Sequence, residues 1–282
     1  MKKNAIRKKK NYFVLLLLLL LSIIVFIFPI YWMVITSLKY NADIYKTPPA
    51  LFPERIYLDS YISQIETGYY NMFQAFFNSS VISISTLAIS LGLSIPAAYG
   101  LARFNFRGNK ILVLSFLITQ MLPAVFVLTP LFIIFSNLNF INTYIAPIIA
   151  DSTIAIPFSV LILRTYFLTI PKEIEESAKI DGCANFGVFM KIMVPISYPG
   201  IIVAGLFSFM FAWGDLAYGL TFIRKQMLRP ITAGIFNFLG QYGIKWNYLM
   251  AFGVVTILPI VIIFVFMQKY IISGLTIGAV KG

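Results

Sequence analysis

The sequence predicts an all-α polytopic membrane protein with six transmembrane helices. Three observations carry that reading: an apolar composition, apolar runs that recur at spanning length, and basic residues crowded into alternate connections. Of the 282 residues, 60% are hydrophobic and 11% charged, and the mean hydropathy is +0.88. Soluble domains are roughly half apolar and about a quarter charged. A soluble core accounts for any single apolar stretch, but runs of about 18 residues or more, enough to cross a bilayer, recur along this chain.

Reading those runs as helices places spans at 12–37, 78–101, 110–136, 144–169, 199–222 and 247–271. The first contains the uninterrupted stretch Leu15 to Leu21 behind a basic segment. A secretory signal starts in the same way, but here the apolar run continues through Pro29 to Val34 without a small-residue cleavage site, so it reads as a retained helix. Residues 1–11 then form a basic N-terminus, 12–271 the membrane domain and 272–282 a short tail. The segment from Lys39 to Phe77 carries Pro48, Pro49, Pro53 and many tyrosines, which suits an ordered layer at the membrane surface. Pro123, Pro130, Pro157 and Pro259 interrupt spans, either as kinks that a rocking transporter uses or as prolines tolerated in static membrane helices.

An even number of spans puts both termini on one side. Of the 22 basic residues, 15 lie in the connections on that side, among them Lys2, Lys3, Arg7 to Lys10, Arg103, Arg107, Lys110, Arg164, Lys172, Lys179 and Lys191. The other 7 are Lys39, Lys46, Arg55, Arg224, Lys225, Arg229 and Lys245. By the positive-inside rule both termini are cytoplasmic in the plasma membrane. The net charge of +12 therefore describes topology rather than a nucleic-acid face. One cysteine, Cys183, excludes an internal disulfide framework, and the lack of histidine removes the commonest metal ligand and near-neutral proton carrier. No metal site and no compact catalytic constellation is expected, which argues against a membrane enzyme.

Polar groups inside spans are costly and often line a pathway, which makes Gln120, Asp151 and Asp215 candidates. Asp151 reads equally as an interfacial residue near a span end. Trp213, beside Asp215, offers an aromatic face for a sugar ring or for a neighbouring helix. Gln120 reads as a donor to solute hydroxyls or as a bond to another helix.

The connection at 170–199 holds the densest group of charges. Pro171 starts a short helix whose first turns carry Glu173, Glu175 and Glu176, where acidic groups complement the helix dipole. Ala178 and Gly182 make a small-residue surface, and Gly182, after Asp181, lets the backbone turn. A second helix from Ala184 or Asn185 would bear Phe186, Phe189, Met190 and Met193 on an apolar face until Pro195 and Pro199 end it. Physics alone reads this helix–turn–helix equally as a loop resting on lipid.

The segment resembles the coupling-loop signature of binding-protein-dependent importer permeases. Glu176-Ser177-Ala178 matches its E-A-A element, Gly182 falls at the required spacing, and Ile192, Val194 and Pro195 match its end. Ser177 in place of alanine and Val194 in place of leucine are mild departures. The likeness extends over most of the chain and is closest to the maltose-type carbohydrate family, specifically its shorter six-span subunit. It is carried by NSSVIS, PAAYGLARFNFRGNK, AWGDLAYGL, FLGQYGIKWNYLMA and QKYIISGLTIGAVKG in that order.

The resemblance implies a type I ABC importer permease that takes a sugar or sugar-like solute from an extracytoplasmic binding protein by alternating access. It implies a second homologous permease and two ATPase subunits, with ATP and Mg bound by those ATPases and no cofactor on this chain. Glu176 becomes an ion-pair partner of the ATPase and Gly182 the turn of the docking loop. The outer stretch Pro230 to Gly243, with Gly234, Gly240 and Gly243, would face the receptor, and the tail from Ser273 would lie against the ATPases. The family's usual Trp-Asn is here Trp213-Gly214-Asp215, so the role of that asparagine does not transfer. A non-sugar solute such as glycerol phosphate, or an ion-coupled secondary transporter, remains the alternative; the latter leaves the charged loop unexplained.

Overall fold

A computed structural model describes residues 2–66, 71–240 and 243–276. In chain order the helices are α1 (Lys2–Ser37), α2 (Asn41–Ile44), α3 (Asp59–Glu66), α4 (Met72–Arg103), α5 (Asn109–Met121), α6 (Ala124–Asn137), α7 (Ile145–Thr169), α8 (Lys172–Ile180), α9 (Asn185–Val188), α10 (Val194–Ile196), α11 (Tyr198–Gly214), α12 (Ala217–Phe222), α13 (Ile231–Gly234) and α14 (Trp246–Thr276). A π-helical turn, Phe189–Met193, joins α9 to α10. The all-helical expectation needs one small amendment: β1 (Leu239–Gly240) pairs antiparallel with β2 (Gly243–Ile244).

Four described helices are long and apolar enough to cross a membrane, at Val14–Ser37, Met72–Arg103, Ile145–Thr169 and Trp246–Gln268, and there are up to six crossings if each of two bent pairs is one span. The expected span at 110–136 is not one helix. It breaks between α5 and α6 with a 99° bend. Pro123 is the cause: it lacks an amide hydrogen, and it pushes Leu122 into extended backbone at φ −79°, ψ 122°. Pro130, Pro157 and Pro259, in contrast, lie inside continuous helices. The expected span at 199–222 also divides, because Asp215 is extended and its carboxylate caps α12 by accepting from the amides of Tyr218 at 3.3 Å and Gly219 at 3.0 Å.

The chain forms two compact units, Met1–Thr67 with Ile235–Ile257, and Gly68–Gly234 with Leu258–Gly282. In the first, Leu15 to Leu21 of α1 are 50–61% exposed, a surface that suits lipid rather than water. The segment after α1 is ordered, as its composition suggests. Tyr31 Oη donates to the Leu51 carbonyl at 2.5 Å, Lys39 Nζ to the Ala50 carbonyl at 2.5 Å, and Ser60 Oγ to the Ser37 carbonyl at 2.6 Å. Lys39 also sits 4.7 Å from the Trp32 ring centre, so its buried ammonium is satisfied from two sides.

The second unit is built on α4, α7 and α11, which pack through small residues. Ala98 and Ala204 are fully buried, and Ser90, Ser159 and Ser208 form a closed hydrogen-bonded triangle with sides of 3.0–3.3 Å. Small side chains let membrane helices approach closely, and hydroxyls satisfy one another across them. At the start of α4, Asn78 donates to the carbonyls of Met227 and Arg229 at 2.8 and 2.9 Å and accepts from Tyr144 Oη at 2.6 Å. Ser79 Oγ accepts from the Ile231 amide at 2.8 Å. These bonds pin the connection ahead of α13.

Candidate functional site

The 170–199 connection is a helical hairpin with two chemically different faces. Pro171 precedes α8, and Glu173 and Glu175 lie in its first turn. The helix ends in a Schellman arrangement: the amide of Gly182 donates to the Lys179 carbonyl at 3.1 Å and that of Cys183 to the Ala178 carbonyl at 3.0 Å. Gly182 supplies the left-handed residue that this cap needs, at φ +87°.

The inward face belongs to a core shared with the long helices. Ala178, Val188 and Met193 are buried together with Ala98, Leu101, Val160, Leu163, Phe167 and Ala204. Phe189 packs on Tyr99 with ring centres 4.9 Å apart. One buried ion pair fastens α8 to α4. Arg103 Nε donates to Glu175 Oε1, Arg103 Nη2 donates to the Ile170 carbonyl at 2.9 Å, and Tyr99 Oη donates to Glu175 Oε2 at 2.9 Å. The two charged side chains are only 6% and 8% exposed.

The outward face carries Glu176, Ser177, Asp181 and Gly182, all exposed, flanked by Ile180 at 86% and Phe186 at 74% exposure. Ile192 and Val194 are half-buried and Pro195 is exposed. The second arm differs from the single amphipathic helix expected. Its π-helical turn sends Phe189 and Met193 inward and leaves Phe186 and Met190 outward, so the four aromatic and methionine residues split between the faces. Pro195 and Pro199 sit in the first turns of α10 and α11, where a missing amide costs nothing, and the chain bends by 74° between these arms.

Among the polar and aromatic residues read as pathway candidates, Gln120 lines a cavity, and Asp151 and Trp213 are buried. Gln120 Nε2 donates to the Ile154 carbonyl at 3.1 Å and lines a cavity of about 310 Å³ with Ile154, Ala155, Phe158, Phe207 and Ser208. Asp151 is fully buried within α7, and neither of its carboxylate oxygens has a hydrogen-bond partner among the described residues. Asp215 is occupied by the cap of α12, and its carbonyl accepts from Thr232 Oγ1 at 2.5 Å. Trp213 is 1% exposed, stacked on Phe209 with Phe76 edge-on at 5.3 Å. Of the outer glycines, Gly234 ends α13 and is buried, while Gly240 faces Gly243 in the β-pair. The tail expected from 272 is helical to Thr276, and residues 277–282 lie outside the described residues.

Sequence reading missed Arg103, Tyr99 and the buried role of Glu175. Arg103 counted only as a cytoplasmic charge and Glu175 as one of three acids near a helix start. The available signal was a lone arginine closing an apolar helix within PAAYGLARFNFRGNK.

A helical chain with four to six segments long and apolar enough to cross a membrane is a multi-pass membrane protein. The chain belongs to the family described as the inner membrane component of binding-protein-dependent transport systems, whose model matches residues 90–277. It is thus a permease subunit rather than an enzyme. It is 35% identical over 260 residues, 92% of this chain and 85% of the relative, to YurM of Bacillus subtilis (strain 168), described as a probable ABC transporter permease protein. It is 34% identical over 259 residues, 91% of each chain, to the arabinooligosaccharides transport system permease protein AraQ of Halalkalibacterium halodurans. Its fold resembles a chain in the crystal structure of a bacterial ABC transporter that imports the acidic polysaccharide alginate, with a TM-score of 0.79 at 19% identity over 91% of this chain and 95% of that one.

Proposed function

We propose that this chain is one of two permeases in an importer that passes a sugar or sugar-like solute from an extracytoplasmic binding protein into a bacterial cell. AraQ is named for arabinooligosaccharides and the structural relative for alginate, so both point to carbohydrate. The six-span, type I arrangement follows if α5 with α6, and the α9–α10 arm with α11, each count as one crossing.

The observation that carries the coupling role is the two-faced hairpin. Its inner side is locked to α4 by the Arg103–Glu175 pair, and its outer side presents Ile180 and Phe186 around the Gly182 turn. An exposed apolar pair at a tight turn suits insertion into a cleft of an ATPase subunit, and Glu176 beside it suits a basic residue there. Closure of two ATPases around ATP and Mg would move the hairpin, and the anchored ion pair would pass that movement to the long helices. Both termini then lie in the cytoplasm with the hairpin. Glycerol phosphate is the second reading for the solute.

The test is reconstitution with the partner permease, the ATPases and the receptor in liposomes, followed by uptake of labelled sugars. Receptor-dependent uptake that needs ATP is the expected result. Uptake driven by an ion gradient without ATPases refutes the reading, and uptake of glycerol phosphate in place of any sugar reassigns the solute.

A further inference from the structure

The turn between α4 and α5 is as firmly built as the hairpin beside it. Phe104 caps α4, its amide donating to the Gly100 carbonyl at 3.0 Å, and Gly108 turns the chain at φ +100°. The side-chain amide of Asn109 ties the two ends together, donating to the carbonyls of Leu101 at 3.0 Å and Phe104 at 3.1 Å. This fixed backbone nevertheless holds Phe104 and Phe106 out of the core, at 54% and 45% exposure. Arg107 and Lys110 are exposed too, and neither has an ion-pair partner among the described residues.

A row of aromatic rings joins this turn to the hairpin. Phe104 meets Tyr99 edge-on with ring centres 6.1 Å apart, Tyr99 packs on Phe189 at 4.9 Å, and Phe189 neighbours Phe186 at 6.4 Å. The exposed rings are the two at the ends, Phe104 and Phe186. The turn and the tip of the hairpin are therefore neighbouring parts of one surface. Their charges differ: α8 and the Gly182 turn expose Glu173, Glu176 and Asp181 among Lys172 and Lys179, whereas the 104–110 stretch exposes only cations.

We propose that the turn at 104–108 is a second docking contact for the ATPase subunit, seating Phe104 and Phe106 on apolar side chains of that partner and Arg107 on one of its carboxylates. The proposal rests on the coupling reading above, which puts the ATPase at Gly182. Aromatic side chains and arginine are the residues that protein interfaces favour. An anionic lipid surface would attract Arg107 and Lys110 but repel the three carboxylates of the adjoining hairpin, whereas a protein can place a charge of the right sign opposite each. Contact here would let the ATPase act on the end of α4 directly as well as through the Arg103–Glu175 pair.

The test is photocrosslinking in the assembled importer, with p-benzoylphenylalanine placed singly at Phe106, at Phe186 and, as a lipid-facing control, at Leu18. The first two positions should each capture the ATPase subunit, and Leu18 should not. Arg107→Glu should weaken binding of the ATPase to the nanodisc-embedded permease pair about tenfold, because it sets like charges against each other, while Arg107→Lys should keep it. Phe106 and Arg107 are both exposed, so the result does not depend on repacking a core. Capture at Phe186 with none at Phe106, or unchanged affinity in Arg107→Glu, overturns the second contact and leaves the importer reading standing. Capture of lipid alone at Phe106 overturns it in favour of a membrane anchor, and capture of the partner permease in favour of a contact between permeases. No capture at either phenylalanine overturns the hairpin docking together with this contact, and receptor-dependent uptake is measured separately to judge the import reading.

Discussion

Gly182 shows most directly how one residue sets the geometry of the hairpin. At φ +87° an added Cβ meets no neighbour within 4 Å, so the constraint is the backbone conformation rather than space at the Cβ. A β-branched residue in that conformation costs roughly 1–2 kcal/mol. Gly182→Val should therefore abolish ATP-driven uptake while leaving the chain in the membrane, whereas Gly182→Asn, which tolerates the left-handed region, should retain most of it. Uptake assays paired with immunoblots of membrane fractions check both. Gly200 is constrained in the opposite way: a Cβ there would lie 2.7 Å from Tyr166 Cγ, so close packing of α11 on α7 requires the hydrogen.

At the scale of elements, the Arg103–Glu175 pair joins α4 to α8 across 72 residues of sequence. Removing one partner from a buried pair leaves an uncompensated charge and costs about 3–5 kcal/mol, while replacing both by apolar groups is often neutral. Glu175→Leu alone should lower the thermal unfolding midpoint of the detergent-solubilised chain, and Arg103→Met with Glu175→Leu should recover most of it. If the pair also transmits motion, the recovered double variant should hydrolyse ATP in the assembled importer without matching uptake. The break at Pro123 belongs to this scale too. Its position was visible as a proline in an apolar run, but Pro130, Pro157 and Pro259 look the same in sequence and leave their helices continuous.

For the whole molecule, the charge distribution predicts an orientation that can be tested. In a Cys183→Ser background, Tyr45→Cys should react with a membrane-impermeant maleimide in intact cells, and Lys8→Cys only after the membrane is opened. The reverse pattern would invert the topology and place the hairpin outside.

Apolar run length, the loops that hold the basic residues and the Glu176 to Pro195 spacing are one-dimensional properties. They settled membrane insertion, the approximate segments and the family, and they located the hairpin and its turn. What folding alone decided are the pairings between distant residues: Arg103 with Glu175, Asn78 with carbonyls 149 and 151 positions away, and the tyrosines gathered around Asp59. The same limit applies to Trp213 and Asp151, which a linear reading could only list as candidates, since burial depends on which helices surround a side chain. Hydropathy and charge act on each segment separately through the bilayer, whereas the satisfaction of a buried polar group depends on what the rest of the chain brings to it.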